Sequence, residues 1–220
     1  MREFKFKNAG VTYAYTSAEL RANAYAVAVN AVANTYAVTN GGAWYDLARA
    51  ELISLAVKFG YTLRQLAASA AVLSSMMPWE RNIPAMVEIL QAYNSGARGT
   101  DLPAVTRNFE CVRKVERILN GETPEHVVVK RGKRVAGQSF KTLNFFYNLM
   151  GAANMVTVDV WMWRMFTADP KTQYRPDGYL YVECANIIRE LAAEFNFKPA
   201  QLQAIMWMLY VEKPAMAEGN

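Results

Sequence analysis

At 220 residues, 53% of them hydrophobic, the chain is long enough for one domain or a closely joined pair of lobes around a sizeable core. Two cysteines, Cys111 and Cys184, and a single histidine, His126, exclude a disulfide framework, a four-cysteine zinc site and a four-cysteine iron–sulfur cluster; they leave a histidine metal centre without a motif, and no cofactor is expected. The net charge of +5 is concentrated in residues 107–141, where nine basic side chains stand among four acidic ones, a pattern that suits a polyanion as well as an ordinary solvated face.

The opening MREFKFKNAG lacks the apolar stretch of a secretion signal, and no apolar run reaches the roughly 18 residues of a membrane span. An intracellular protein of the cytoplasm, phage or bacterial, with no membrane partner is expected. Ser17-Ala18-Glu19-Leu20 marks a helix entry, and the Ala-rich run after it reads as helix through about Val38. Thr39-Asn40-Gly41-Gly42 reads as a break. Residues 44–59 then resume a 3.6-residue rhythm through Leu47, Ala48, Leu52, Leu55, Ala56 and Phe59, which Gly60 ends. Thr62 caps LRQLAASAAVLSSM, apolar nearly all round and therefore expected at the centre of the fold. Pro78 starts the next element, and residues 82–93 form a helix that tolerates Pro84 in its first turn.

Phe109–Leu119 is amphipathic, with Val112, Val115, Ile118 and Leu119 on one face and Asn120-Gly121 as its stop. The β-branched residues on either side of Arg131-Gly132 predict a small two-stranded ribbon near residues 127–136 with a basic tip. Residues 140–150 are helical, residues 151–157 turn, and Asp159 opens a helix through about Phe166. Trp161 and Trp163 cannot share one face of that helix, so at least one of them packs. Residues 182–195 and 199–210 complete the helices, the last with Leu202, Ile205, Met206 and Leu209 inward. Neither an internal repeat nor a low-complexity linker is present.

Two segments carry a resemblance. Gly137-Gln138-Ser139-Phe140-Lys141-Thr142 and Val158-Asp159-Val160-Trp161-Met162-Trp163-Arg164 resemble the hairpin and the V-D-x-x-x-x-R segment of the helix-hairpin-helix DNA glycosylase superfamily, with lysine and aspartate eighteen positions apart. Ala70 through Asn82, AAVLSSMMPWERN, and residues 199–210, PAQLQAIMWMLY, look like segments of its small phage- and plasmid-borne members. The sequence departs from the pattern at Ser139, where the superfamily has a second hairpin glycine, and in the basic ribbon-like stretch ahead of it. The resemblance implies an all-α, two-lobed glycosylase-like fold over residues 1–220, with one lobe near residues 62–166 and residues 1–61 and 167–220 packing together as the other.

It also implies a DNA glycosylase with strand-cleaving lyase activity on double-stranded DNA, a base-excision repair chemistry that needs no obligate protein partner. Lys141 would attack the sugar C1′ and form a Schiff base, and Asp159 would stabilise the developing cationic sugar and help deprotonate the amine. Taken alone, Asp159 also reads as a helix N-cap and Lys141 as a surface or phosphate-contacting lysine. Backbone amides of Gly137, Gln138 and Ser139 could hold a phosphate, with Lys130, Arg131, Lys133 and Arg134 tracking the DNA backbone. Trp79, Glu80, Arg81 and Asn82 fall where the resemblance puts the base pocket or wedge, and Trp79 reads equally well as core. Two other functions suit the same scaffold: a phage enzyme that modifies a DNA base without excising it, and a non-catalytic DNA-binding protein. The products separate them: a free base, an altered nucleoside in intact DNA, or neither.

Overall fold

Two strands and ten α-helices make up the described part of the chain, residues 3–8, 11–75, 77–129, 137–173, 176 and 178–217 of a computed structural model. The fold is all-α with, among the described residues, one short ribbon, which is at the N-terminus. β1 (Glu3–Asn8) pairs antiparallel with β2 (Val11–Thr16), placing Phe4 opposite Tyr15 and Phe6 opposite Tyr13. Alternation puts these four rings on one face, and Phe6 stacks on Tyr13 at 5.3 Å and Tyr15 at 6.1 Å. Val127 and Val128 instead end the short helix α6 (Pro124–Val128). Pro124 sets the helical φ of its first position, and both valines are buried among helices, so burial overrides their β-propensity. The rest of the expected ribbon, residues 130–136, lies outside the described residues.

Thr16 caps α1 (Ser17–Val32) through a capping box with Glu19. Asn34 then caps α2 (Thr35–Phe59), which runs unbroken through the Gly41-Gly42 pair where a break was expected. The reason is tertiary. A Cβ on Gly41 would lie 2.6 Å from the Ile205 Cα and 2.7 Å from its backbone nitrogen, so the glycine allows α2 to press against α10 (Pro199–Ala217) backbone to backbone. That packing offsets the roughly 1 kcal/mol that a glycine costs in a helix interior. Gly60 ends α2 in the left-handed region, φ 77°.

Thr62 and Gln65 form a second capping box at α3 (Leu63–Leu73), whose residues from Leu66 onward are all buried, as its all-round apolar sequence predicts. α4 (Trp79–Asn94) begins directly after Pro78, three residues ahead of the expected start, so Pro84 lies in its interior rather than its first turn. α5 (Phe109–Leu119), α7 (Gly137–Leu149), α8 (Val160–Thr167) and α9 (Gly178–Glu194) complete the set.

The core forms two clusters. One gathers Ala48, Leu52 and Ala56 of α2 with the inner faces of α3, α4, α5, α6 and α7. The other joins β1, α1, the start of α2, α8, α9 and α10, with Trp163 at its centre, edge-on to Phe6 at 5.5 Å and Tyr15 at 6.0 Å. Trp163 is thus the packing member of the tryptophan pair, while Trp161 is half-buried beside Tyr210. No helix of the described residues is long and apolar enough to cross a membrane.

Candidate functional site

Helix caps and helix phases bring six helices to one open cavity of about 110 Å³ on the seam between the two clusters. For scale, an engineered apolar cavity of about 150 Å³ holds one benzene. Its lining comprises Trp44 and Tyr45 of α2, Ser74 at the end of α3, Met77, Pro78, Trp79 and Asn82 at the entry to α4, Lys141 and Phe145 of α7, Asp159 ahead of α8, and Gln203, Ala204 and Trp207 of α10.

Lys141 and Asp159 therefore share one cavity. Lys141 is the fifth residue of α7, because helix begins at Gly137 rather than at Phe140; its Nζ donates to the Ser74 Oγ at 3.2 Å and lies 5.9 Å from the Phe145 ring centre, one turn on. Asp159 is the N-cap of α8, with Oδ1 accepting the Met162 N–H at 2.9 Å. Capping fixes this carboxylate beside the cavity.

One wall is aromatic. Trp44 meets Trp79 at 5.3 Å and lies nearly parallel to Phe145 at 6.0 Å, while the Trp79 Nε1 donates to Glu51 at 3.0 Å and so holds its ring in place. Asn82, fully buried, donates from Nδ2 to the Ala70 carbonyl at 3.0 Å and ties α4 to α3. Its Oδ1 has no partner among the described residues.

Two phenols, the buried Tyr181 and the part-buried, cavity-lining Tyr45, brace the segment that leads to Asp159. Tyr181 of α9 donates to the Val156 carbonyl at 2.9 Å and accepts from the Val158 N–H and the Asn144 Nδ2, each at 3.0 Å. Asn144 is on α7, one turn past Lys141, so a single hydroxyl links the lysine helix to the aspartate cap. Burial raises the Tyr181 phenol well above its ordinary range. Burial also pushes the Tyr45 phenol up to about 12, against hydrogen bonds to Asn148 and Thr157 that favour ionisation, and the Asp159 charge adds to the rise. The Tyr45 hydroxyl donates to the Gln203 Oε1 at 2.7 Å. The Asn148 oxygen stands at 3.1 Å from the same hydroxyl when that amide donates to the Met155 and Ala152 carbonyls.

Of the residues expected from sequence, Lys141, Asp159, Trp79 and Asn82 meet in this cavity. Glu80 and Arg81 are exposed in the first turn of α4 and do not line it. Gly137, Gln138 and Ser139 form the first turn of α7, helix rather than hairpin. Lys130, Arg131, Lys133 and Arg134 lie outside the described residues. Sequence reasoning passed over Trp44, Tyr45, Gln203 and Trp207. Gln203 had one visible signal, a polar residue beside Leu202 in the inward phase of an apolar helix.

Among the described residues, no group of three or more His, Cys, Asp or Glu side chains could hold a metal ion. A family model described as "Family of unknown function (DUF7178)" matches residues 11–214. No curated protein and no solved structure matches the chain.

Proposed function

We propose that this chain, which belongs to the DUF7178 family, is a lysine-dependent DNA glycosylase that also cleaves the strand, built on a scaffold related to the helix-hairpin-helix glycosylases. The observation that carries the reading is the meeting of Lys141 and Asp159 in one aromatic-walled cavity of single-ring scale. A nucleotide rotated out of duplex DNA would place its base against the Trp44, Trp79 and Phe145 wall and its sugar C1′ between amine and carboxylate. The Lys141 nitrogen pair attacks C1′, and the glycosidic C1′–N bond breaks, with its electron pair leaving on the base. The Asp159 carboxylate first takes the proton that frees this nitrogen pair, offsets the positive charge that develops on the sugar, and passes the proton to the departing base. The ring-opened sugar is then held as a Schiff base on Lys141. Loss of a C2′ proton to water forms a C2′=C3′ double bond as the C3′–O bond breaks and the 3′ phosphate leaves, and water then hydrolyses the Schiff base to release the enzyme.

The segment immediately before α7, with Lys130, Arg131, Lys133 and Arg134, supplies positive charge for the DNA backbone. Binding should accordingly weaken steeply as salt rises.

The test is product analysis on duplex oligonucleotides carrying an abasic site or one of a panel of altered bases. Free base and a nicked strand, both lost in Lys141→Ala and reduced roughly 10²- to 10⁴-fold in Asp159→Asn, support the proposal. An altered nucleoside in an intact strand would replace it with base modification, and binding without any turnover would replace it with a DNA-binding role.

A further inference from the structure

Gln203 is 5% exposed and belongs to α10, one turn before Trp207. Its Oε1 is engaged by the Tyr45 hydroxyl at 2.7 Å, the shorter of the two contacts open to that proton, and its amide nitrogen makes no hydrogen bond among the described residues. Since Gln203 lines the cavity, the engaged oxygen leaves the N–H₂ end as the part of the amide that a bound molecule can use. Two features fix this orientation. The Tyr45 phenol is pushed up to about 12 by burial, so it stays a donor across the working pH range and holds the amide oxygen toward itself. The contact of Gly41 with the Ile205 backbone, two residues along α10, sets the depth at which the amide stands. Asn82 differs, because its nitrogen is already engaged by the Ala70 carbonyl.

A neutral donor beside stacking walls selects among planar rings by what their edge presents. A ring carbonyl oxygen accepts from the amide. An exocyclic amine at the same position sets donor against donor and leaves both unpaired. We propose that Gln203 is the specificity-determining residue of the cavity, donating to a carbonyl oxygen on the edge of the base, so that oxo bases are taken in preference to their amino counterparts. The inference rests on the reading of the cavity as a pocket for an extruded base.

Two base pairs that differ chiefly in this group test it: uracil against cytosine, and hypoxanthine against adenine. Each free base is titrated against the intact protein by tryptophan fluorescence, which Trp44, Trp79 and Trp207 make responsive, and each is placed in duplex oligonucleotides to follow its release. The wild-type protein is expected to favour the oxo member of each pair by roughly tenfold to a hundredfold, the effect of leaving a buried donor unpaired. Gln203→Met should abolish the preference. Gln203→Glu, which turns an acceptor to the cavity, should reverse it, and Tyr45→Phe, which unlatches the amide, should narrow it. Equal binding of both members by the wild-type protein, or a preference that survives in Gln203→Met, overturns the inference. An oxo preference that depends on Gln203 without base release or strand cleavage would retain the inference and refute the glycosylase reading. Base release without the preference would do the opposite.

Discussion

Gly41→Ala and Gly42→Ala should change stability in opposite directions, although the two glycines are neighbours in one helix. Alanine in place of glycine inside a helix contributes about 1 kcal/mol through propensity and a less flexible unfolded chain. For Gly42 that gain stands almost alone, because an added Cβ meets only the end of the Ile205 side chain at 4.0 Å. At Gly41 the new atom would fall 2.6, 2.7 and 2.9 Å from backbone atoms of Ile205 and Ala204, which no rotamer change can move aside. Parting α2 from α10 is an overpacking cost at the upper end of the usual range, about 3 kcal/mol, so the net effect is a loss of about 2 kcal/mol. Urea unfolding at pH 7 compares the midpoints, and thermal unfolding should show Gly41→Ala lower by some 4 to 8 °C and Gly42→Ala slightly higher. The displacement would also shift Gln203, Ala204 and Trp207 on α10, so Gly41→Ala should weaken ligand binding in the cavity while Gly42→Ala does not. Stabilisation by both substitutions would refute the backbone contact and the account of why the helix crosses its own glycines.

Other changes test the remaining supports. Thr62→Ala removes the capping box with Gln65 at the start of the central helix and should cost about 1 kcal/mol in denaturant unfolding. Tyr181→Phe removes the hydroxyl that binds Val156, Val158 and the α7 residue Asn144; faster exchange of the Val158 amide and a loss of about 1 to 3 kcal/mol should accompany slower turnover at unchanged KM. Burial works to raise the Glu125 carboxyl, but hydrogen bonds from its own backbone, Arg64 and Tyr147 outweigh it and hold the group below the ordinary carboxylate range. Its contribution is therefore present above the unfolded carboxyl's pKa and is lost as pH falls through the folded one, so Arg64→Gln should flatten the acid limb of a stability-against-pH curve and leave the neutral limb's slope unchanged.

Much of this fold was legible because local chemistry and tertiary packing agree. Thr62 with Gln65, Gly60, Asn120 and the Asp159 cap each mark a terminus by a side-chain or backbone property that the folded chain uses unchanged. The misplaced features are those in which a distant partner decides. Gly41-Gly42 carries a breaker's composition, and only the approach of α10, more than 160 residues later, makes helix the better state. Val127 and Val128 have strand propensity and are buried by neighbouring helices instead. The aromatic alternation of Phe4, Phe6, Tyr13 and Tyr15 would have announced the N-terminal ribbon, but the polar residues between them mask it. In the site, Lys141 and Asp159 stood out through the resemblance carried by the motifs around them. Gln203 and Tyr45 were hidden because their roles come from each other, across 158 positions of sequence.

The proposed chemistry turns on one nitrogen atom, the Lys141 Nζ. Borohydride reduction of the protein on a duplex carrying an abasic site, followed by proteolysis and mass mapping of the cross-linked peptide, addresses it directly. A sugar adduct on Lys141, absent from Lys141→Ala and diminished in Asp159→Asn, is the expected result. An adduct on any other lysine, or none on any substrate, would contradict it.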